Sequence, residues 1–196
     1  MTKNYEAKVV FIGMSGVGKT SIISRIGSGV FDPNQLPTIG ASFTAKTIQK
    51  EQGNVTLRIW DTAGQERFRS LAPMYYQGSQ ACLIVFALNS KDSFNDAQVW
   101  YDEMERSIGE KTLLYLIGNK ADLTSERTVT IEEANNKADS MGAVYFEVSA
   151  QTGQNIEDLV EDIAFQLLSK DISLDTNNLN PVLKDEDDED QKKCGC

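Results

Sequence analysis

Short apolar runs alternate along the chain with segments whose apolar residues recur at helical spacing. Four runs are almost continuously apolar, which is typical of strands buried on both faces: 8–12, 81–88, 113–118 and 143–148. Two further β-rich runs flank Gln52-Gly53 and predict an antiparallel hairpin over 42–50 and 54–60. Apolar spacing predicts helices over 19–28, 92–108, 131–141 and 155–169, and a short helix ending near Tyr76. Because strands alternate with helices, we expect an α/β fold with a mostly parallel sheet between helices.

The sequence changes character after Lys170. Residues 171–196 have no periodic apolar pattern and contain 8 acidic and 3 basic residues, including six consecutive carboxylates at 185–190. These carboxylates would repel one another in any compact state. We therefore expect one domain over residues 1–170 and a disordered acidic tail over 171–196.

Composition excludes several functions. The 196 residues include 29 acidic and 19 basic side chains, a net charge of -10, which argues against nucleic acid as a partner. The absence of histidine excludes histidine-based acid–base catalysis, catalytic triads and histidine-ligated zinc. The three cysteines, Cys82, Cys194 and Cys196, fit a reducing compartment. The N-terminus is polar and has no apolar h-region, and no apolar run approaches 18 residues, so we expect neither a signal peptide nor a membrane span.

Residues 13–20, GMSGVGKT, match the phosphate-binding pattern G-x-x-x-x-G-K-[ST] between a predicted strand and a predicted helix. Glycines let backbone N–H groups close around phosphate oxygens, and the helix N-terminus adds its dipole. Lys19 would supply a positive charge to the β- and γ-phosphates, and Thr20 a hydroxyl to Mg²⁺. The predicted nucleotide-binding residues of this loop are Ser15, Gly16, Val17, Gly18, Lys19, Thr20 and Ser21.

The predicted strand 113–118 leads into Asn119-Lys120-Ala121-Asp122. Ligands of open α/β sheets bind at the carboxyl ends of strands. The Asp122 carboxylate can accept hydrogen bonds from N1–H and the 2-amino group of guanine, a pair of donors that adenine lacks. A site built on such acceptors discriminates strongly, so the sequence predicts a guanine nucleotide.

A third motif, WDTAGQE at residues 60–66, supplies groups suited to hydrolysis. Asp61 would hold Mg²⁺ through water, and Gly64 would let its backbone N–H approach the γ-phosphate. Gln65 would orient the attacking water, and it is the predicted catalytic residue. Thr38, in an upstream loop, would offer a second hydroxyl to Mg²⁺.

GMSGVGKT, PTIG, WDTAGQE, NKAD and EVSA stand in the order and spacing of the Ras superfamily of small GTPases, and the match spans residues 8–169. Segments 39–43 and 70–76 resemble the switch segments of Rabs, most closely the endosomal branch. The resemblance implies a P-loop NTPase-type three-layer α/β/α sandwich with a six-stranded sheet and five helices. It also implies a GTP/GDP switch that uses Mg²⁺, hydrolyses GTP slowly and recruits effectors in membrane trafficking.

The resemblance assigns further roles to single residues. Phe31 would lie across the edge of the guanine, and Ala150 would offer it a backbone N–H. The remaining base-binding residues would be Asn119, Lys120, Asp122 and Ser149. Phe43, Trp60 and Tyr75 resemble an aromatic triad that Rabs present to effectors, although core packing is an equal alternative for Trp60.

The terminal Cys194-Gly195-Cys196 resembles the C-x-C end of doubly geranylgeranylated Rabs. It implies a lipid anchor on the cytoplasmic face of an intracellular, endosomal membrane, with cycling through the cytosol. The implied partners of this monomer are a nucleotide exchange factor, a GTPase-activating protein, a GDP-dissociation inhibitor or prenylation escort, and effectors, but no nucleic acid.

Two features depart from the family pattern. Gln151 stands where the family usually has lysine, which removes a cation beside the base. The acidic tail would be repelled by an anionic leaflet. Three alternatives stay open: a nucleotide-locked scaffold with vestigial hydrolysis, a P-loop nucleoside kinase, and a soluble GTPase with an unmodified C-terminus.

Overall fold

The structure, a computed structural model, describes residues 3–50, 53–63, 72–108 and 111–170. Six strands form one sheet in the order β2-β3-β1-β4-β5-β6. They are β1 Lys3–Ile12, β2 Ala41–Lys50, β3 Gly53–Thr62, β4 Ala81–Ala87, β5 Leu113–Asn119 and β6 Val144–Glu147. All neighbouring strands are parallel except β2 and β3, which pair antiparallel as the hairpin pattern predicts.

Within the described residues there are five α-helices, which agree with the sequence prediction in number and order. They are α1 Lys19–Ser28, α2 Ala72–Tyr76, α3 Lys91–Glu105, α4 Ile131–Met141 and α5 Ile156–Ser169. Helix α4 begins at a capping box, in which Thr130 and Glu133 bond to each other's backbone N–H. In the described part of the chain, no helix is long and apolar enough to cross a membrane.

Alternation along the central strands builds two cores, one on each face of the sheet. In β1, Val9 and Phe11 point toward the core beneath α1 and α5, whereas Val10 and Ile12 point toward the core beneath α3 and α4. Cys82, on β4, is fully buried in the second core, and burial raises the pKa of its thiol. Strands buried on both faces need helices on both sides, which gives the predicted three-layer sandwich.

The predicted bounds differ from the structure mainly where pairing, rather than hydrophobicity, extends a strand. The apolar run of β1 starts at Lys8, but the strand begins at Lys3, because its polar first half pairs with β3 from Gly53 onward. Strand β6 is shorter than predicted and spans Val144–Glu147. The parallel strands β1, β4, β5 and β6 point the same way, so the loops that follow them meet at one edge of the sheet.

Candidate functional site

A cleft of about 460 Å³ opens at the carboxyl edge of the sheet, a size typical of small-molecule sites. Its floor comes from the loop before α1, one end from the segment after β5 and the loop before α5, and its side from the segment before β2. It is lined by Ser15, Gly16, Gly18, Lys19, Thr20, Ser21, Phe31, Asp32, Pro33, Gln35, Leu36, Pro37, Thr38, Thr62, Asn119, Lys120, Asp122, Leu123, Ala150 and Gln151.

Two glycines of the loop before α1 are required by close packing. Gly13 has φ +136°, and a Cβ there would lie 2.2 Å from the Val85 carbonyl oxygen. Gly18 has φ +95°, and its Cβ would lie 2.3 Å from Asn119 Nδ2. That same Nδ2 donates to the Val17 carbonyl at 2.8 Å. This hydrogen bond and the close packing at Gly18 therefore connect the phosphate-binding motif directly to the base-binding motif.

Lys19 is buried at the start of α1, with 5% of its surface exposed. Its Nζ donates to the main-chain oxygens of Gly13 at 2.7 Å and Met14 at 3.0 Å. Burial lowers the pKa of Lys19 to about 8, with a partial offset from the Asp61 carboxylate. At neutral pH the ammonium is still charged, and an anion in the cleft would relieve the cost of burying it.

Three oxygen-bearing side chains meet beside this lysine. Thr20 Oγ1 lies 2.6 Å from both Thr38 Oγ1 and Asp61 Oδ2, and Thr38 Oγ1 donates to the same carboxylate oxygen at 3.1 Å. Burial raises the pKa of Asp61, while hydrogen bonds from the two threonines and the charge of Lys19 lower it. The other carboxylate oxygen, Asp61 Oδ1, is buried with no hydrogen-bond partner among the described residues.

The opposite end of the cleft carries the predicted base-binding residues. Ser149 Oγ donates to Asp122 Oδ1 at 2.5 Å, which orients the carboxylate. Lys120 adopts a left-handed backbone conformation, with φ +68°. The Ala150 N–H, which the resemblance assigns to the guanine oxygen, donates here to Asn119 Oδ1 at 3.1 Å. A bound guanine would have to share this donor or displace the amide.

The cleft brings together most of the predicted nucleotide residues from four separate segments, and Phe31 is one of the residues that line it. Gly64, Gln65, Cys194 and Cys196 lie outside the described residues. Sequence reasoning missed five lining residues that belong to no motif: Asp32, Pro33, Gln35, Leu36 and Leu123. They are ordinary loop residues, and only the path of the chain around the cleft singles them out.

Comparison with known proteins agrees with this geometry. The sequence profile of the Ras family matches residues 8–169. The chain belongs to the Ras family. Among relatives of this Ras-family protein, human Rab-22A is 40% identical over 189 residues, covering 96% of this chain and 97% of Rab-22A. Mouse Rab-31 is 44% identical over 83% of each chain. Rab-5A of Dictyostelium discoideum is 42% identical over 84% of this chain and 82% of the relative.

These relatives confirm the Rab resemblance of the motifs. This Ras-family protein is a Rab-like small GTPase, which binds guanine nucleotide and hydrolyses GTP. It functions in membrane trafficking together with regulators and effectors. The comparison favours this function over a nucleoside kinase and over a scaffold with vestigial hydrolysis.

The aromatic triad of this Ras-family protein is contiguous and partly exposed. Phe43 and Trp60 are directly opposed on β2 and β3, with ring centroids 5.6 Å apart, and Tyr75 of α2 lies 6.3 Å from Trp60. Phe43 is 49% exposed, whereas Trp60 and Tyr75 pack partly against the second core. Trp60 thus combines the two alternatives weighed for it, because it touches the core and also supports an exposed ring.

Proposed function

We propose that the cleft binds GTP or GDP with Mg²⁺ and that the nucleotide state sets the conformation of the loops around it. The observation that carries the proposal is the convergence of Thr20, Thr38 and Asp61 next to the buried Lys19. A cation, a phosphate-binding ammonium and a base-binding carboxylate would then occupy one cleft, in the order that a guanine nucleotide requires. Loss of the γ-phosphate would free the loop that carries Thr38.

The oxygen cluster fits Mg²⁺. Hydroxyl and carboxylate oxygens are the hard ligands that this ion prefers, and it commonly takes one or two carboxylates together with substrate phosphates. Thr20 and Thr38 would hold it directly and Asp61 through water, and the buried oxygen Asp61 Oδ1 would gain a partner. When bound, Mg²⁺ supplies positive charge to the β- and γ-phosphates.

We expect Gln65→Leu to slow single-turnover GTP hydrolysis by about 10- to 100-fold, because the attacking water loses its orienting amide. In the described part of the chain, no arginine lines the cleft. The unassisted wild-type rate should therefore be low, about 10⁻⁴ to 10⁻² s⁻¹, until an activating protein supplies an arginine. The measurement is phosphate release from preloaded protein in the absence of partners.

The matched control is Gln49→Leu, the same substitution at an exposed position on β2 outside the cleft, which should hydrolyse GTP at the wild-type rate. ATP serves as the nucleotide control and should not be turned over. If Gln65→Leu hydrolyses GTP as fast as the wild type, Gln65 is not the catalytic residue. If neither the wild type nor Gln65→Leu hydrolyses bound GTP, the protein is better described as a nucleotide-locked scaffold.

We also propose that the protein presents an apolar effector face beside the cleft. The face includes Phe43, which packs against Trp60, together with Ile39 and Met74, which are 79% and 66% exposed. Exposed apolar patches of this kind mark protein contacts, and aromatic residues dominate their energetics. Because Thr38 and Ile39 are adjacent, a change at the magnesium site would reach this face directly. Exchange factor, activating protein and GDP-dissociation inhibitor are the proposed regulators.

We propose that Cys194 and Cys196 each carry a prenyl group and attach the protein to the cytoplasmic face of an endosomal membrane. Two chains are needed, because one chain gives marginal binding and the neighbouring carboxylates oppose an anionic leaflet. We expect intact-mass analysis of chain isolated from a prenylating cell to show two added prenyl groups. The Cys194→Ser and Cys196→Ser single variants should each show one, and an unmodified wild-type mass would contradict the anchor.

A further inference from the structure

The arginine of α1 joins two segments that flank the base end of the cleft. Arg25 Nε donates to the Ala150 carbonyl at 2.9 Å, and Nη2 donates to the Gln151 carbonyl at 2.6 Å. Its third nitrogen, Nη1, donates to the Gly29 carbonyl at 2.6 Å. We propose that Arg25 is a positioning residue that holds the guanine-binding loop in place and thereby sets the rate of nucleotide release. This inference rests on the proposed guanine site.

The loop that Arg25 holds is the one that orients Asp122. Residues 149–153 form a turn in which the Gly153 N–H donates to the Ser149 carbonyl at 2.8 Å. Inside the turn, Ser149 Oγ faces Asp122 and the Ala150 N–H faces Asn119. Arg25 binds the outward-facing carbonyls of the same turn. The turn that presents polar groups to a base is therefore held by the Arg25 side chain, which does not itself line the cleft.

The third hydrogen bond connects this turn to the opposite wall. Gly29 follows the last residue of α1 and caps the helix with φ +72°, and its N–H donates to the Arg25 carbonyl. Two residues later, Phe31 lines the cleft. One guanidinium thus ties the turn before α5 to the chain that leads into Phe31. Both are fastened to α1, whose first residue is Lys19.

The chemistry of arginine suits this position. Its guanidinium presents five N–H donors in a rigid planar fork, so three separate carbonyls can each receive a well-directed bond. A lysine ammonium concentrates its donors on one atom and cannot reach all three oxygens at these distances. The carbonyl of Gly29 also carries the partial negative charge of a helix C-terminus, which favours a cation there. Arg25→Lys should therefore preserve the charge and lose most of the clamp.

The test measures GDP release from full-length protein loaded with a fluorescent GDP analogue and chased with excess GDP. We expect Arg25→Gln to release GDP at least about tenfold faster than the wild type, since charge-assisted bonds to the base loop are lost. Arg25→Lys should fall between the two. Single-turnover hydrolysis of bound GTP should stay within about twofold of wild type, because the Arg25 side chain donates its hydrogen bonds to Gly29, Ala150 and Gln151 at the base end of the cleft. A general loss of structure would affect both measurements.

Arg58→Gln is the matched control: it removes a surface arginine paired with Glu6 at 2.6 Å and should leave GDP release unchanged. Amide hydrogen exchange of residues 149–154 should be faster in both Arg25 variants while exchange in β1 and β4 is not. The inference would be overturned if folded Arg25→Gln and Arg25→Lys released GDP at the wild-type rate. It would also be overturned if GTP hydrolysis slowed by as large a factor as GDP release accelerated. If the wild type itself fails to retain GDP, the proposed guanine site is wrong, which is a separate result.

Discussion

We expect the replacement of Asp122 with alanine to lower the affinity for GDP by about 10²- to 10⁴-fold. Two hydrogen bonds to a charged acceptor contribute about 1.5 to 3 kcal/mol each, which corresponds to this loss of affinity. Ser149 already donates to Asp122 Oδ1 at 2.5 Å, so the carboxylate is oriented before a base arrives and little is spent on ordering it. Alanine leaves the guanine N1–H and 2-amino group without their acceptor. Titration calorimetry or competition with a fluorescent nucleotide would measure the loss.

Selectivity distinguishes base recognition from damage to the fold. In Asp122→Ala, the preference for GDP over ADP should collapse, because ADP never used the carboxylate and its weak affinity should change little. Asp139→Ala, at an exposed position on α4, is the matched control and should bind GDP like the wild type. Undiminished GDP binding by Asp122→Ala would refute the assignment of guanine recognition to this side chain.

We expect the replacement of Lys19 with methionine to lower the affinity for GDP and GTP by about 10²- to 10³-fold, because the phosphates would lose one or two charge-assisted hydrogen bonds. Methionine has a similar length and no charge, so the substitution removes the ammonium without opening a large void. Lys111→Met, at an exposed position before β5, is the control and should bind normally. The affinity for inorganic pyrophosphate should fall by a similar factor, because Lys19 binds the phosphates and not the base.

The same substitution alters how the nucleotide-free protein responds to pH. Burial lowers the pKa of Lys19 to about 8, against 10.5 for an ordinary lysine. Between these two values the unfolded chain holds more protons than the folded one, so the contribution of Lys19 to the free energy of unfolding rises with pH across this window. Urea unfolding at pH 7 and pH 9.5 should show a larger gain for the wild type than for Lys19→Met. Equal gains would place the ammonium in a hydrated environment.

Local pattern was enough to predict the layout of the fold. The fold class follows from the apolar runs of β4 and β5 and from the helical spacing of α1 and α4. A strand buried on both faces needs a continuous apolar run, and a helix buried on one face needs apolar residues at helical spacing, so both patterns can be read from neighbouring residues. Strand ends were less predictable. The polar residues at the start of β1 join the sheet because β3 lies beside them, and this neighbour is 50 residues away in sequence.

The candidate site divides in the same way. Lys19, Thr20, Asp61, Asn119 and Asp122 stand in motifs whose residue types and spacing already predict a guanine nucleotide. The contacts that link these motifs do not stand in any motif. They are the hydrogen bond of Asn119 to Val17, the Thr20–Thr38–Asp61 cluster and the bonds of Arg25 to two carbonyls. The residues that they join are 18 to 126 positions apart in the sequence. No local pattern encodes such pairs, because they depend on which loops the sheet order brings to one edge.

The sequence by itself therefore determined the α/β class, the phosphate and base motifs and the family resemblance, and it carries the prediction that Gln65 is the hydrolytic residue. Each rests on residues close together in the chain, where spacing translates directly into chemistry. Only the tertiary structure decided that a buried oxygen of Asp61 has no hydrogen-bond partner among the described residues, that Trp60 contacts the core and also an exposed ring, and that Arg25 bonds to the base loop. These facts follow from burial and hydrogen-bond satisfaction, which are properties of the folded neighbourhood and not of any one segment.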